Sequence, residues 1–433
     1  MSEGKGPVMA PARKKDRWYV LMGLVVLSVF LTLCVLEAGV RFFVKVPPSL
    51  VIENLNKPGE DDFTEYGDFS VKEDGTIESE KLPGGFFLYS HTGTRLKKNA
   101  HGLVRHHTLS KTDIEIRTNS LGFRHRELGP KQPGETRILV LGDSITFGDF
   151  VPQDQTYPAV MERSLRRMFP GRLLEVINAG IGAVDLQNEF AVLMETGLSV
   201  KPDIVLVGLY LNDAYASPLL KIVRLPGWLS FSHLARWVLA KVDRLRALYK
   251  EHQWENQSPE EWKAARERFA STHRMKETGE WDTEESFNWH IHHAFQDWGY
   301  AWDDGSWEKI LPFVDMMRMV SRDAGFKLIF VYFPVRPQIM SKILRNEPQQ
   351  RFVAEMRKRR LPYLDLLPWL RDKYARDQED MLYDHCHYKP EGNAFIGDML
   401  ARFAAAYLNF EPSSPPRLDK EIVPPAEAPE DIL

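Results

Sequence analysis

From residue 137 onward the chain carries a series of short apolar runs. Each run is continuous rather than alternating and is bounded by turn-forming residues, a pattern typical of strands buried on both faces of a parallel sheet. We therefore predict a buried sheet strand in each run. The runs are RILVLGD (137–143), LLEVINAG (173–180), DIVLVGLYLND (203–213), KLIFVYFP (327–334) and the weaker LPYLDLL (361–367).

Amphipathic segments lie between and after these runs. In two of them the apolar residues recur at helical spacing, which predicts a helix with one buried face. Strands that alternate with helices in this way need crossover connections, so the pattern predicts an α/β sandwich. The two helical faces consist of Tyr157, Val160, Met161, Leu165 and Met168, and of Ile396, Leu400, Phe403 and Tyr407.

The N-terminal region holds one long apolar stretch, WYVLMGLVVLSVFLTLCVL, at residues 18–36. Its 19 uncharged residues are close to the roughly 20 that cross a bilayer as a helix. Arginine and lysine precede the stretch within residues 13–17, whereas acidic residues follow it within residues 60–65. The positive-inside rule then predicts that residues 1–17 are cytoplasmic and that everything after residue 36 lies outside. We expect a single-pass membrane protein with its main domain on the periplasmic side of a bacterial inner membrane.

Three other interpretations of this stretch fit less well. A cleaved signal peptide needs small residues in an A-x-A-like pattern after the apolar run, and LCVLEAGV matches poorly. A lipoprotein would be attached through Cys34, but Leu33 occupies a place where a small residue is expected. A core helix of this length is not expected to lack polar residues.

The remaining segments are less regular. Residues 37–130 contain scattered prolines and predict a spacer followed by a β-rich part. The main domain is predicted at 131–410, interrupted at 214–305 by a segment with eight of the eleven tryptophans. We interpret that segment as a helical insertion packed on the main domain, with a lid or an aromatic substrate groove as the alternative. The Pro- and Glu-rich tail at 411–433 is predicted to be disordered.

Composition narrows the classes of function. A formal net charge of −4 over 433 residues gives no basic surface for nucleic acid. The only two cysteines, Cys34 and Cys386, lie far apart in unlike surroundings, which excludes a disulfide framework.

Two motifs supply the parts of a nucleophilic site. In LGDSITFG (141–148), Ser144 lies in the turn after the first apolar run, at the end of a strand where ligands of parallel sheets bind. In YDHCHYKPEGN (383–393), Asp384 and His387 are three residues apart, just before a helix predicted near Pro390. A serine hydroxyl needs a base to accept its proton, a histidine is the usual base, and a carboxylate orients that histidine. The three side chains therefore fit the roles of nucleophile, base and orienting acid.

Two further motifs supply groups for a developing oxyanion. Asn212 follows the third run in LYLND (209–213), and its amide can donate a hydrogen bond. The small residues of NAGIGA (178–183), after the second run, allow close approach of the backbone.

The four motifs together resemble the GDSL/SGNH hydrolase superfamily, over residues 137–405. The resemblance implies a three-layer α/β/α sandwich with a flavodoxin-like sheet of five parallel strands. It also implies an oxyanion hole formed by the Ser144 N–H, a backbone N–H of the second motif and the Asn212 side chain. TNSLGFR (118–124) resembles, more loosely, a segment of membrane-anchored bacterial members.

The chain departs from the family pattern in two places. Tyr210 stands where a glycine often precedes the asparagine. Ala183 stands where the second motif often has its donor glycine, with Gly182 just before it. Either Gly182 or Ala183 therefore remains a candidate donor.

A metal site and a purely structural turn are the other interpretations of these residues. Asp384, His385, Cys386 and His387 do not have the spacing of zinc ligands, and His290, His292 and His293 fit packed or solvated positions on a helix better than a metal site. Asp143 and Asp213 are expected to orient backbone turns, and a purely structural turn serine is the alternative for Ser144.

The expected activity is hydrolysis of a carboxyl ester through an acyl-enzyme, with no cofactor and no metal. The expected substrate is an acyl ester, for example of an envelope polysaccharide or lipid, and no nucleic-acid partner is expected. Transfer of the acyl group to a glycan hydroxyl is an alternative. Alginate-type O-acetyltransferases place their Asp-His pair ahead of the serine, whereas here the pair follows it, and that order favours hydrolysis. A non-catalytic glycan-binding or assembly protein is a further alternative.

Overall fold

The structure is a computed structural model. It describes residues 14–43, 64–66, 70–71, 77–79, 86–90, 93–107, 109–182, 184–214, 232–235, 238, 281–294 and 297–408. The chain divides into two compact units, residues 1–53 with 221–249 and residues 54–220 with 250–433. The predicted tail at 411–433 and most of the predicted insertion lie outside the described residues, as does most of the predicted cytoplasmic segment.

The first unit contains helix α1, Lys14–Phe43. By length and composition its Trp18–Phe43 part is long and apolar enough to cross a membrane. The helix continues past residue 36, and Glu37 pairs there with Arg41 one turn later, at 3.1 Å. The Glu37 carboxylate also accepts hydrogen bonds from the Ser232 hydroxyl and from two backbone N–H groups that follow it.

The second unit is built on a sheet of five parallel strands. In chain order these are β8 (Thr136–Gly142), β9 (Leu174–Asn178), β10 (Ile204–Tyr210), β11 (Lys327–Phe333) and β12 (Tyr363–Asp365), and their spatial order is β12-β11-β10-β8-β9. Numbered along the chain this is the order 2-1-3-4-5 of a flavodoxin-like sheet. Each of the five apolar runs forms one of these strands, so the predicted fold class is confirmed.

Helices cover both faces of the sheet. On one face α3 (Tyr157–Met168) packs against α10 (Pro390–Ala405), and on the other α4 (Leu186–Glu195) packs against α6 (Asp304–Ala324). The opposite placement of α3 and α4 follows from right-handed crossovers, because β9 and β10 lie on opposite sides of β8. The remaining helices are α2 (Ser144–Phe147), α5 (Glu284–His293), α7 (Arg336–Met340), α8 (Glu347–Arg359) and α9 (Leu367–Asp377).

The two central strands explain why the apolar runs are continuous. Every residue of β10 is buried, and in β8 only Thr136 is not, because helices cover both sides. A strand of this kind has no solvent face and therefore no alternation of polar residues. The strands end in polar groups, with Asp143 and Ser144 after β8 and Asn212 after β10.

The N-terminal β-rich segment forms two small sheets. One contains β1 (Thr64–Tyr66), β4 (Phe87–Ser90) and β5 (Gly93–Leu96), and the other contains β2 (Ser70–Val71), β3 (Ile77–Ser79), β6 (His101–Val104) and β7 (Ile114–Arg117). Strand β5 packs against α4, where Arg95 pairs with Glu195 at 2.8 Å and the Thr94 N–H donates to Asn188.

The described part of the predicted insertion contains α5 and a 3-10 turn at Trp298–Trp302, and α6 begins inside it at Asp304. Trp281 and Trp298 are buried, whereas Trp289 is exposed. Of these three tryptophans, two are therefore placed for packing.

Candidate active site

Ser144 lies at the carboxyl end of β8 and opens the short helix α2. The preceding Asp143 caps this helix, because its side chain accepts a hydrogen bond from the Ile145 N–H at 2.9 Å. Gly148 ends the helix in a left-handed conformation, with its N–H donating to the Ser144 carbonyl. The serine thus lies beside the point where strand order reverses between β8 and β10, the usual ligand crevice of such sheets.

His387 joins Ser144 and Asp384 in one chain of hydrogen bonds. Its Nε2 atom lies 2.8 Å from the Ser144 Oγ, and its Nδ1 atom lies 2.7 Å from the Asp384 Oδ2. The other carboxylate oxygen of Asp384 accepts from the backbone N–H groups of Cys386 and His387. Because a carboxylate only accepts, the shared proton belongs to Nδ1 and Nε2 is the atom that can accept from the serine hydroxyl. The structure therefore brings together the three residues that the two motifs predicted.

The charges of this pair stabilise each other. Burial opposes ionisation of Asp384, but the neighbouring His387 imidazolium and its hydrogen bond hold the pKa of Asp384 well below its usual range. Burial also disfavours the charged form of His387, yet the Asp384 carboxylate outweighs it and raises the pKa of His387 to about 9. His387 is therefore a stronger base than an isolated imidazole.

Two more carboxyl groups lie close to this chain. Burial raises the pKa of Asp143 and raises that of Asp149 to about 6, although the His387 charge opposes both shifts. The Asp149 Oδ1 atom is buried and has no hydrogen-bond partner among the described residues. No sequence motif singled out Asp149, since it lies five residues past the serine in an unremarkable turn.

The structure describes two of the three predicted oxyanion donors other than the Ser144 N–H. The Asn212 side chain is half-buried in the 3-10 turn after β10 and lies next to Asp143, whose pKa it lowers. Gly182 follows β9 and lies beside Phe87 and Asp149. Ala183 lies outside the described residues.

The glycine of NAGIGA that packs most tightly is Gly180. A Cβ atom there would lie 2.4 Å from the backbone nitrogen of Phe147, in the helix that Ser144 begins. The Asn178 side chain donates to the Thr146 carbonyl in the same helix at 2.8 Å. This motif therefore packs against the helix that Ser144 begins and holds it in place, a role that is separate from donating to an oxyanion.

The loop that carries Asp384 and His387 contacts the described end of the insertion. His385 is buried, and its Nε2 atom lies 3.0 Å from the Asp297 Oδ2. Burial opposes a charge on His385, but Asp297 raises its pKa above the usual value. The Arg336 N–H donates to the His385 carbonyl at 2.7 Å and fixes the loop from the other side. Sequence reasoning missed Asp297, because no motif surrounds it.

The alternative metal interpretations fit the structure poorly. Ligand atoms of Asp384, His385 and Cys386 lie within 4.8 Å of one another. However, both Asp384 oxygens already accept hydrogen bonds, and the His385 Nε2 faces Asp297. On helix α5 His290 is buried and His292 is exposed, so the two do not share a face, and the His293 side chain lies outside the described residues.

Comparison with known proteins gives similarity to solved structures alone. No family model and no curated protein matches the sequence. A lipolytic protein of the G-D-S-L family from Desulfitobacterium hafniense is similar over 62% of this chain and 99% of its own, with 12% identity and a TM-score of 0.32. A catalytic mutant of an acetylxylan esterase from Geobacillus stearothermophilus is similar over 65% and 97%, with 14% identity and a TM-score of 0.35. A two-domain esterase active on acetylated mannans is similar over 65% and 52%, with 14% identity and a TM-score of 0.35.

The first of these structures carries the family name that the sequence motifs resemble. Superposition at these TM-scores is loose. The fold of this chain is therefore defined by its own sheet order, and its site by the geometry around Ser144.

Proposed function

We propose that this chain is a serine-dependent carboxyl ester hydrolase of the SGNH/GDSL type. The observation that carries the proposal is the hydrogen-bonded chain from Ser144 through His387 to Asp384. Its location at the carboxyl edge of a 2-1-3-4-5 sheet supports the same class. Acyl transfer by a serine, a histidine and an aspartate needs neither a metal nor an organic cofactor.

The reaction proceeds in two halves. The Ser144 Oγ attacks the acyl carbon while its proton passes to the His387 Nε2, and the carbonyl oxygen becomes an oxyanion. The oxyanion collapses, the bond to the alcohol oxygen breaks, and His387 returns the proton to the departing alcohol. Water then attacks the acyl-enzyme, His387 accepts its proton, and the acid leaves as Ser144 recovers its hydrogen. Asp384 orients the imidazole and stabilises its charged form in both halves.

The oxyanion is held by three donors in this proposal. These are the Ser144 N–H, the N–H of Gly182 or Ala183, and the Asn212 amide. Asn212 is favoured because its half-buried side chain sits at the end of the strand adjacent to β8. Such donors stabilise charge that develops only in the transition state.

The same proposal places the enzyme at a membrane. Helix α1 supplies the anchor, with residues 1–17 cytoplasmic and the hydrolase domain, residues 131–410, on the outer side. The excess of arginine and lysine before residue 18 supports this orientation. A hydrolase domain held there would meet esters of an envelope glycan or lipid, which we propose as its substrates.

The experiment is hydrolysis of p-nitrophenyl acetate by the full-length protein in detergent, beside Ser144→Ala. The variant should lose activity by about 10³-fold or more while its thermal unfolding is unchanged. Ser199→Ala is the matched control, since the hydroxyl of this exposed serine donates to the Thr196 carbonyl of its own turn, and the variant should retain full activity. Equal turnover by Ser144→Ala and wild type would contradict the proposal.

A further inference from the structure

Two tilted ring contacts connect the proposed catalytic base with the N-terminal β-rich segment. The ring centroid of Phe150 lies 4.3 Å from that of His387. The ring centroid of His107 lies 4.4 Å from that of Phe150. Phe150 and His107 are 6% and 2% exposed. The His387 imidazole, which contacts Ser144, therefore packs against Phe150. The Phe150 ring packs in turn against His107, which belongs to the β-rich segment and not to the sandwich.

The backbone that carries Phe150 is fixed by Arg124. The guanidinium of this fully buried residue donates to the carbonyls of Phe147 and Gly148, both at 2.7 Å, and to that of Val151 at 2.9 Å. These three carbonyls bracket Phe150 in the turn that follows the nucleophile helix. One planar group with several donors thus determines the course of this turn.

Arg124 is in turn positioned by the TNSLGFR segment. The Asn119 side-chain oxygen accepts from the N–H groups of Leu121 and Phe123, both at 3.0 Å, and closes a tight turn. Gly122 has a φ of +80°, and a Cβ atom there would lie 2.8 Å from the Leu96 carbonyl oxygen. This tight turn therefore fixes the backbone from which the Arg124 side chain enters the core.

His107 is the neutral partner of Phe150 in the second of these ring contacts. Its Nδ1 atom accepts from the backbone N–H groups of Leu109 at 3.4 Å and Ser110 at 3.3 Å, so the ring proton is on Nε2. Burial, and then the charge of His387, lower the pKa of His107 to about 4. The ring consequently packs on Phe150 without adding a charge that would repel His387.

We propose that Arg124, Phe150 and His107 are positioning residues that hold the His387 imidazole in line with Ser144. The inference rests on the proposed function, because it needs His387 to be the base. A catalytic side chain must be held within about 0.5 Å of its productive geometry by the groups packed around it. The β-rich segment is then an integral part of the active site.

The test compares Phe150→Leu and Arg124→Lys with Phe190→Leu in the full-length protein. Phe190 is a buried phenylalanine of the same unit, in α4 and packed against Phe313, on the face of the sheet opposite to α3 and α10. We expect kcat for p-nitrophenyl acetate to fall about 10- to 100-fold in the first two variants, with KM within about twofold. Phe190→Leu should keep its kcat even where its thermal stability falls as far. A kcat within about twofold of wild type in Phe150→Leu, or an equal loss in Phe190→Leu, would overturn the inference.

A spectroscopic measurement separates this inference from the proposed function. The proton between the His387 Nδ1 and the Asp384 Oδ2 should give a strongly downfield proton resonance, which needs no substrate. We expect it in wild type and Phe190→Leu, and expect it broadened or lost in Phe150→Leu. An unchanged resonance in Phe150→Leu would argue against positioning, whatever the activity. Suppose that the resonance is altered in Phe150→Leu but the wild-type protein hydrolyses no ester. The contact of Phe150 with His387 would then be supported, and the proposed function would be rejected.

Discussion

The Nε2 atom of His387 lies 2.8 Å from the Oγ atom of Ser144, although 243 residues separate them in the chain. The contact exists because β8 delivers the serine, and the loop before α10 delivers the histidine, to the same edge of the sheet. Helix α10 packs on α3, which follows the nucleophile turn, so the core itself brings the two motifs together.

The pH dependence of activity follows from the ion pair. His387 can accept the serine proton only when neutral, so activity is lost as pH falls below its pKa. Asp384 raises the pKa of His387 to about 9, and kcat/KM should therefore keep rising with pH above the ordinary histidine value of about 6.5. Asp384→Asn should move this rise of kcat/KM, the acidic limb of the pH profile, to lower pH and should reduce kcat by about 10⁴-fold. A pH profile of both proteins checks this, and a limb that stays in place in Asp384→Asn would contradict it.

The contact between His385 and Asp297 should matter for the catalytic loop. Asp297→Asn removes the charge that faces the buried His385, and breaking a pair of this kind costs about 3 kcal/mol. We expect a lower melting temperature and a reduced kcat, because His385 adjoins Asp384. Asp282→Asn is the control, since its partner Lys342 is largely exposed and the pair should contribute little. Equal behaviour of the two variants would show that Asp297 does not support the loop.

Gly180 should not tolerate a side chain. In Gly180→Ala the new methyl group would meet the backbone of Thr146 and Phe147, in the helix that Ser144 begins, and this backbone or the glycine loop would have to shift. We expect a loss of stability of about 1–3 kcal/mol together with loss of activity. Gly129→Ala meets no atom within 4 Å and should be neutral or slightly stabilising. Chemical denaturation of both variants tests this, and an unaffected Gly180→Ala would contradict the close packing.

Helix α1 should bind the protein to membranes. The full-length chain is expected in the membrane fraction, resistant to high salt and released by detergent, because burial of its apolar side chains does not depend on ionic strength. Removal of residues 1–43 should move the protein out of that fraction. Recovery of the intact chain in the salt wash would contradict an anchoring helix.

Much of the fold follows from the pattern of apolar residues. The run at 203–213 forms a strand without a polar face because helices cover both sides of β10, and this is visible in the sequence as an uninterrupted apolar stretch. The site motifs follow the strand ends, so the sequence also indicates that Ser144 and Asn212 share one edge. Five strands in the predicted places confirm the predicted parallel sheet.

The supporting contacts could not be predicted in the same way. Asp297 and His385 meet only through tertiary packing, and neither lies in a periodic pattern. Arg124 has the appearance of a surface arginine in the sequence, yet it is buried because three backbone carbonyls accept its hydrogen bonds. The choice between Gly182 and Ala183 as oxyanion donor depends on the direction of single N–H groups, which residue type does not determine.

Covalent labelling by a fluorophosphonate tests whether Ser144 is an activated nucleophile. The full-length protein should gain one phosphonyl group, located on the peptide that contains Ser144 by mass spectrometry, and the rate should rise with pH as His387 loses its proton. Ser144→Ala should gain none. Absence of labelling in the folded wild-type protein, or labelling that persists in Ser144→Ala, would show that Ser144 is not the activated nucleophile.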